Sequence, residues 1–323
     1  RSFMQQIAVR VSYDSKVYDG VAYAGGSNSV TYSNTVAGAS LLGTLAYAGN
    51  AAGAVNAGTY SVSASGLYAT GGQSGYAISY IDGGLLITQR QLSLNGAGAG
   101  NKVYDGNTTA IISGGTLAGL LAGDLGNVNL LSLLGTYASK NVGNGIAVNA
   151  TATLGGSATG NYILAPLTGV SGNITPATIS SISGILAGSK VYDGLTGAAL
   201  DTSAAVLAGK IGSDALTLSG TGTFDNKNAG TGKTVSISGL FLGGADAGNY
   251  ILAGTTGSAL ADITAKALTI TGVTTSNRVY DGTLNAALSG GTLSGLVGGE
   301  TLGLSSLSGV FADKNVGTGK SVS

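Results

Sequence analysis

The sequence has no cysteine, no histidine and no tryptophan, two prolines in 323 residues, and only 9% charged side chains. Without thiolates or imidazoles the usual zinc ligands are missing, and so is every catalytic arrangement built on Cys/His or Ser/His. A long chain free of thiols suits an oxidising extracellular setting, where it cannot mispair. Fourteen basic and fourteen acidic residues balance to zero, and neither sign forms a run. The chain therefore offers no electrostatic footprint for nucleic acid or an anionic membrane surface. No apolar stretch nears the ~20 residues of a membrane-spanning helix, because Gly, Ser and Asn interrupt each Leu-rich segment. The chain opens at Arg1 without a leader and closes in mid-pattern at Ser323, which gives the expectation of an internal stretch of a longer protein.

What is abundant is glycine, 58 of 323 residues, with 43% hydrophobic residues and 15 tyrosines. That apolar content is too high for a chain that stays unfolded. Segments such as Ala267-Leu268-Thr269-Ile270-Thr271, Thr234-Val235-Ser236-Ile237-Ser238 and Tyr60-Ser61-Val62-Ser63 alternate apolar with small polar residues, the period of strands with one buried face. Asp-Gly, Asn-Gly and Gly-Gly pairs between them supply the positive φ of tight turns. Helix signals are poor, since each interior glycine costs roughly 1 kcal/mol in a helix; Leu117 to Leu121 is the one candidate for a helical turn.

The sequence repeats. Lys16-Val17-Tyr18-Asp19-Gly20 recurs as Lys102-Val103-Tyr104-Asp105-Gly106, as Lys190-Val191-Tyr192-Asp193-Gly194 and as Arg278-Val279-Tyr280-Asp281-Gly282, with the tyrosines 86, 88 and 88 residues apart. Gly160-Asn161-Tyr162-Ile163-Leu164 returns as Gly248-Asn249-Tyr250-Ile251-Leu252, with a looser Gly75-Tyr76-Ala77-Ile78 earlier. Lys140-Asn141-Val142-Gly143 is echoed by Lys227-Asn228-Ala229-Gly230 and Lys314-Asn315-Val316-Gly317, with Asn56-Ala57-Gly58 as a divergent form. These registers divide the chain into units at 1–88, 89–176, 177–264 and a truncated 265–323, each complete unit holding about seven short strands. Units join through Leu86 to Leu92, Ile174 to Ile179 and Ile263 to Leu268, where the last strand of one runs into the first of the next. Pro176 suits such a boundary because it need not donate to a ladder. The expected fold is all-β: tandem small glycine-rich β-sandwich-like repeat domains arranged as an extended rod. A continuous solenoid would show rungs near 20 residues and not a period near 88.

Taken together, Lys-Val-Tyr-Asp-Gly, Lys-Asn-Val-Gly, Gly-Asn-Tyr-Ile-Leu and Ile-Thr-Pro resemble the YDG repeat of filamentous-haemagglutinin-like exoproteins. The first unit, through Val55-Asn56-Ala57-Gly58-Thr59-Tyr60, Ser65-Gly66-Leu67 and Gly84-Leu85-Leu86-Ile87-Thr88, is closer to the related glycine-rich MBG repeat. The resemblance implies a bacterial surface or biofilm-matrix protein exported by two-partner secretion, as CdrA-type biofilm adhesins are. In such proteins the repeats form a stalk between a binding head and a cell-attached end. Lateral or filament self-association, and exopolysaccharide contacts of the full-length protein, are the partners this implies.

Each candidate site has a plainer reading beside it. Asp19, Asp105, Asp193 and Asp281 recur, as do Asp124, Asp214 and Glu300 in a glycine-rich turn about twenty residues after the tyrosine. An active site need not appear four times, whereas a turn must. In Tyr-Asp-Gly the Asp is expected to cap its own turn, Gly20, Gly106, Gly194 and Gly282 to take positive φ, and Tyr18, Tyr104, Tyr192 and Tyr280 to pack their rings while the hydroxyls find partners. Asn161, Tyr162, Asn249 and Tyr250 are the second structural motif. Calcium wants several carboxylates together, and here they come singly, with Asp225 and Asp313 the nearest approach, so no metal and no cofactor are expected. A glycosidase needs two carboxylates facing a cleft, but the non-repeating Asp14, Asp82 and Asp201 are scattered, so no enzyme is expected. The alternative to a spacer is that the repeats bind exopolysaccharide or host glycan through exposed tyrosines and Lys140, Lys227 and Lys314.

Overall fold

The computed structural model describes residues 5–25, 29–33, 41–69 and 76–323. Among them the regular structure is almost all strand, with three 3-10 turns at Ala122–Asp124, Thr159–Asn161 and Ala247–Asn249. Leu117 and Ala118 belong to the strand Ile112–Ala118, so the helical turn expected over 117–121 falls instead just after it. Leu117 packs into the core from this strand, and paired Gly114 and Gly115 at φ 73° and 98° bend the ladder rather than coil it. Among the described residues seven strands lie within 1–88, eight within 89–176, eleven within 177–264, several of them only two or three residues long, and four beyond.

The chain divides into two compact units, Arg1–Thr175 and Pro176–Ser323. In the first, residues up to 88 form a four-stranded sheet, ordered Tyr13–Val17, Gly83–Thr88, Gly58–Ala69, Leu41–Gly49, and a three-stranded one, Val30–Ser33, Gln5–Val11, Tyr76–Ile81. The repeat that follows has the same plan. Its five-stranded sheet runs Thr109–Ala110, Asn129–Tyr137, Gly143–Gly155, Ser171–Thr175, Lys102–Val103, and its three-stranded one runs Ile112–Ala118, Arg90–Ala99, Tyr162–Leu164.

In the second compact unit the long hairpin Thr217–Phe224 and Gly230–Gly243 sits in a five-stranded sheet with Lys190–Val191, Gly257–Thr264 and Gly197–Ala198. The facing layer is broken into three two-stranded pieces. The predicted alternation is realised where a second layer covers the sheet: Val235 and Ile237 are buried while Thr234, Ser236 and Ser238 are exposed. Val235 packs with Phe224, Ala261 and Ile263, and Ile237 with Leu218 and Leu240. Each such side chain contributes roughly 1.5–3 kcal/mol by leaving water. The strand Thr269–Thr275, with the same alternation, is exposed along its whole length, because only Leu288–Ser294 pairs with it.

At the unit boundaries the strands run on almost without interruption: Gly83–Thr88 is followed after Gln89 by Arg90–Ala99, and Ser171–Thr175 after Pro176 by Ala177–Ile179. In the first compact unit, burial crosses that boundary. Val62, Leu85 and Ile87 from before it form one cluster with Leu92, Val128 and Tyr162 from after it.

Candidate functional site

The recurring pentapeptide builds a recurring device. Its Lys-Val pair lies parallel to the exit strand of the same repeat, Lys16 opposite Ile87, Lys102 opposite Ile174 and Lys190 opposite Ile263. The Tyr N–H then donates to the threonine that ends that strand: Tyr18 to Thr88 at 2.9 Å, Tyr104 to Thr175 at 2.8 Å and Tyr192 to Thr264 at 2.8 Å. The start of each repeat is thereby stapled to its end.

The turn that follows has one geometry four times. Oδ1 of Asp19, Asp105, Asp193 and Asp281 accepts the backbone N–H two residues on, from Val21, Asn107, Leu195 and Thr283, at 2.9, 3.1, 2.9 and 2.9 Å. Gly20, Gly106, Gly194 and Gly282 have φ between 73° and 79°, the left-handed region that a Cβ disfavours. The cation three residues before each Asp closes the box, with N···O distances of 2.7 Å for Lys16, Lys102 and Arg278 and 2.8 Å for Lys190. Lys102 and Lys190 also donate to the carbonyls of Asn107 and Leu195 and sit over the rings of Tyr137 and Phe224. The lysine hydrogen bonds and the backbone N–H of Val21 and Leu195 hold Asp19 and Asp193 below the ordinary carboxylate range.

The Tyr18 and Tyr192 rings leave this box toward the next repeat. Tyr18 and Tyr104 are 4% and 2% exposed, which removes both as platforms for a sugar. Tyr18 Oη donates at 2.9 Å to Asp124 Oδ2, an oxygen that also accepts from Tyr162 Oη at 2.6 Å. The two rings meet edge to face, centroids 5.4 Å apart. Tyr162 Oη accepts in turn from the Leu121 N–H. Burial, and then the Asp124 hydrogen bond, push the Tyr162 phenol up to about 12, and the Tyr18 phenol is raised for the same two reasons. Asn161, 6% exposed, sits beside them: its Oδ1 accepts the Ala57 N–H at 2.8 Å, and its Nδ2 donates to Asn56 Oδ1 at 3.1 Å. A Tyr-Asp-Gly box, an Asn-Ala-Gly turn, an acidic 3-10 turn and a Gly-Asn-Tyr segment thus meet in one joint between consecutive repeats.

The second compact unit holds the same kind of joint. Tyr192 Oη hydrogen-bonds Glu300, and Lys227 donates to the same carboxylate at 2.8 Å while lying over the Tyr192 ring. These contacts, Lys227 first, hold Glu300 below its usual range. Within the preceding repeat Tyr250 Oη donates to Asp214 at 2.7 Å and accepts the Ile211 N–H, the counterpart of Tyr162 with Asp124 and Leu121. Tyr280, with no such neighbours, is 55% exposed. The looser marker at 75–78 begins at Gly75, outside the described residues; Tyr76–Ile81 pairs in parallel with the first strand, Gln5–Val11, as Tyr162–Leu164 does with Arg90 to Leu92.

Most of the remaining acids are committed to turns, hydroxyls or lysines. Asp225 pairs with Lys233 and Asp313 with Lys320, Asp14 accepts from the Tyr23 hydroxyl and the Ser15 N–H, and Asp201 caps the Ser203 N–H. Among the described residues no group of three acids gathers at a metal-binding spacing, and no helix is long and apolar enough to cross a membrane.

Such repeats define a class: an all-β tandem-repeat protein whose repeated motif residues join the first repeat to the second and the repeat at 177–264 to the one that follows it. The YDG domain profile matches residues 88–169, 175–257 and 264–323, and the chain belongs to the YDG domain family. Residues before 88 lie outside the match. No curated protein matches the chain. The partnership of Tyr18 with Asp124 across 106 residues was not readable from the sequence. The common offset of Asp124, Asp214 and Glu300 behind the tyrosines was the one signal pointing to it.

Proposed function

We propose that this chain is a run of structural stalk repeats of a large secreted bacterial adhesin, whose work is to project a binding head for cell-cell, matrix or surface attachment. In this reading it lies outside the cell, on the bacterial surface or in the biofilm matrix, and it carries no catalytic activity. The observation that carries the proposal is the fate of the signature residues. The side chains repeated most faithfully are used in box turns and in buried, hydrogen-bonded joints to the next repeat, where a binding module would present them to solvent. A joint satisfied by Tyr18, Asp124, Tyr162 and Asn161 resists bending, and copy number then sets reach. Most carboxylates are engaged by lysines, tyrosine hydroxyls and backbone N–H groups, which supports a structural use of them over a hydrolytic one.

Small-angle X-ray scattering on the chain, and on a version with residues 177–264 duplicated, tests this reading. The expected result is a maximum dimension that grows by a fixed increment at constant cross-section and is unchanged by calcium or chelator. A compact particle, or a length that collapses with chelator, would overturn it.

A further inference from the structure

The unit at 1–88 exposes a tyrosine that the joints do not use. Tyr13 is 76% exposed and opens Tyr13–Val17, the edge strand of the four-stranded sheet. It lies opposite Gly84, and a Cβ built on that glycine would meet Tyr13 Cε1 at 2.9 Å and Cδ1 at 3.1 Å. The ring is therefore folded across the neighbouring strand onto a floor that only glycine leaves open. Gly84 is buried beneath it, although Leu86 and Thr88, which alternate with it along the same face, are exposed. An aromatic ring laid on a glycine stabilises a sheet by itself, but that role uses one side of the ring and leaves the other in water.

The row continues past the glycine. Gly84 lies opposite Ser61, and Asn50, which follows the strand Leu41–Gly49, meets Ser61 from the far side. Asn50 Oδ1 accepts the Ser61 N–H at 2.7 Å and the Ser61 hydroxyl at 3.1 Å. That pairing holds the amide in place and leaves the Asn50 NH2 and the lone pairs of Ser61 Oγ to a ligand. Neighbouring strands lie about 4.8 Å apart, so Ser61 stands about one pyranose width from the seat of the ring on Gly84. The exposed side chains around the row, Ser15, Val17, Thr59, Leu86 and Thr88, carry no charge. Asp14 and Lys16 alternate to the other side of the strand, where the Tyr23 hydroxyl and Asp19 engage them. The platform does not recur. Counted from the lysine of the box and the isoleucine opposite it, the positions of Tyr13 and Gly84 hold Ala99 and Ser171 in the next repeat, then Ala187 and Leu260. A feature that the common fold required would return in each unit, as the Tyr-Asp-Gly box does.

We propose that this row, Tyr13 over Gly84 with Ser61 and Asn50 beyond, is a binding site for a neutral pyranose unit of a polysaccharide. The C–H face of the sugar stacks on the open side of the Tyr13 ring, whose negative π face attracts polarised C–H bonds, while Ser61 and Asn50 take the hydroxyls at the edge of the sugar and fix its orientation. A shallow, uncharged face suits an extended neutral chain and offers no cation to a uronate or a phosphate. The site lies outside the repeated motifs and does not depend on the stalk reading.

The test titrates the full chain with two neutral probes, cellohexaose and mannohexaose, and with an oligogalacturonate as the anionic control, followed by amide NMR. The expected result is saturable shifts with at least one neutral probe, centred on Gly84, Ser61 and the Asn50 side-chain amide, and none with the galacturonate. Tyr13→Leu, a side chain long enough to cover Gly84 but without a π face, should weaken binding about tenfold while the circular dichroism spectrum is retained. Tyr13→Phe should keep it. Asn50→Asp, which preserves the acceptor for Ser61 and removes the NH2, should weaken it severalfold. No saturable shift with either neutral probe, shifts centred elsewhere, equal binding by Tyr13→Leu, or tighter binding of the galacturonate would overturn the proposal.

Discussion

Gly194 has φ +78°, and a Cβ built on it would lie 2.8 Å from Val297 Cγ1, whereas a Cβ on Gly282, also at +78°, would meet nothing within 4 Å. Gly282→Ala should therefore cost only the left-handed backbone strain, about 1–2 kcal/mol. Gly194→Ala should cost more, because Val297 in the next repeat must also shift; urea denaturation of the two variants measures the difference. The tyrosine hydroxyls carry a pH signature of definite sign. Tyr162 binds its proton more tightly in the folded chain, where its pKa reaches about 12, than in the unfolded one, where a tyrosine titrates near 10. Its contribution is complete below about pH 10 and fades as pH rises through the folded value. Tyr162→Phe should remove that alkaline loss and, by leaving the Leu121 N–H without its acceptor, cost about 1–3 kcal/mol at neutral pH. Thermal melts of both proteins from neutral to alkaline pH test this. At this scale the sequence was legible for the Asp cap and the Gly φ, since both are local to a turn. It was silent on where the Tyr hydroxyl goes, since the acceptor lies 106 residues on.

The exit strand, the Lys-Val pair and the first strand of the next repeat behave as one connected element, because the same threonine accepts from the signature tyrosine and borders the next strand. Leu92 lies just past this border and is buried in a cluster drawn from both sides of it. Leu92→Ala should cost about 2–5 kcal/mol and lower protection in both repeats together, which hydrogen exchange followed at Val62 and Val128 would show; protection lost on one side alone would mean that the two repeats fold independently. Asn161 tests the joint in a different way. Asn161→Ala leaves the Ala57 N–H without its acceptor, for an expected loss of about 1–3 kcal/mol. Asn161→Asp keeps the acceptor but buries a charge and loses the bond to Asn56, so it should be at least as damaging. Denaturant midpoints of the two variants decide the order. Alternation in the sequence located these strands, but not which stay exposed: Thr269–Thr275 has the pattern of a buried-face strand and is open to solvent, since a face is buried only if another layer covers it.

Over the whole molecule, charge has little part in stability. Fourteen positive and fourteen negative groups cancel, and the ion pairs of the boxes join a largely shielded cation to a half-exposed carboxylate, a geometry that solvent screening leaves weak. Raising salt to about 1 M, where the screening length falls to roughly 3 Å, should move the thermal midpoint by only a few degrees; a large drop in a salt-titrated melt would show that the boxes and not the cores hold the repeats together. The sequence by itself determined the all-β class, the near-88-residue period and the chemistry of the Tyr-Asp-Gly turn, because composition, alternation and turn-forming residues act through neighbours in the chain. Only the tertiary structure decided what that motif is joined to. Tyr18 reaches Asp124 and Tyr162, Asn161 reaches Asn56 and Ala57, and Tyr192 reaches Glu300, since two motifs become partners only when the twist and register of the intervening strands bring them face to face.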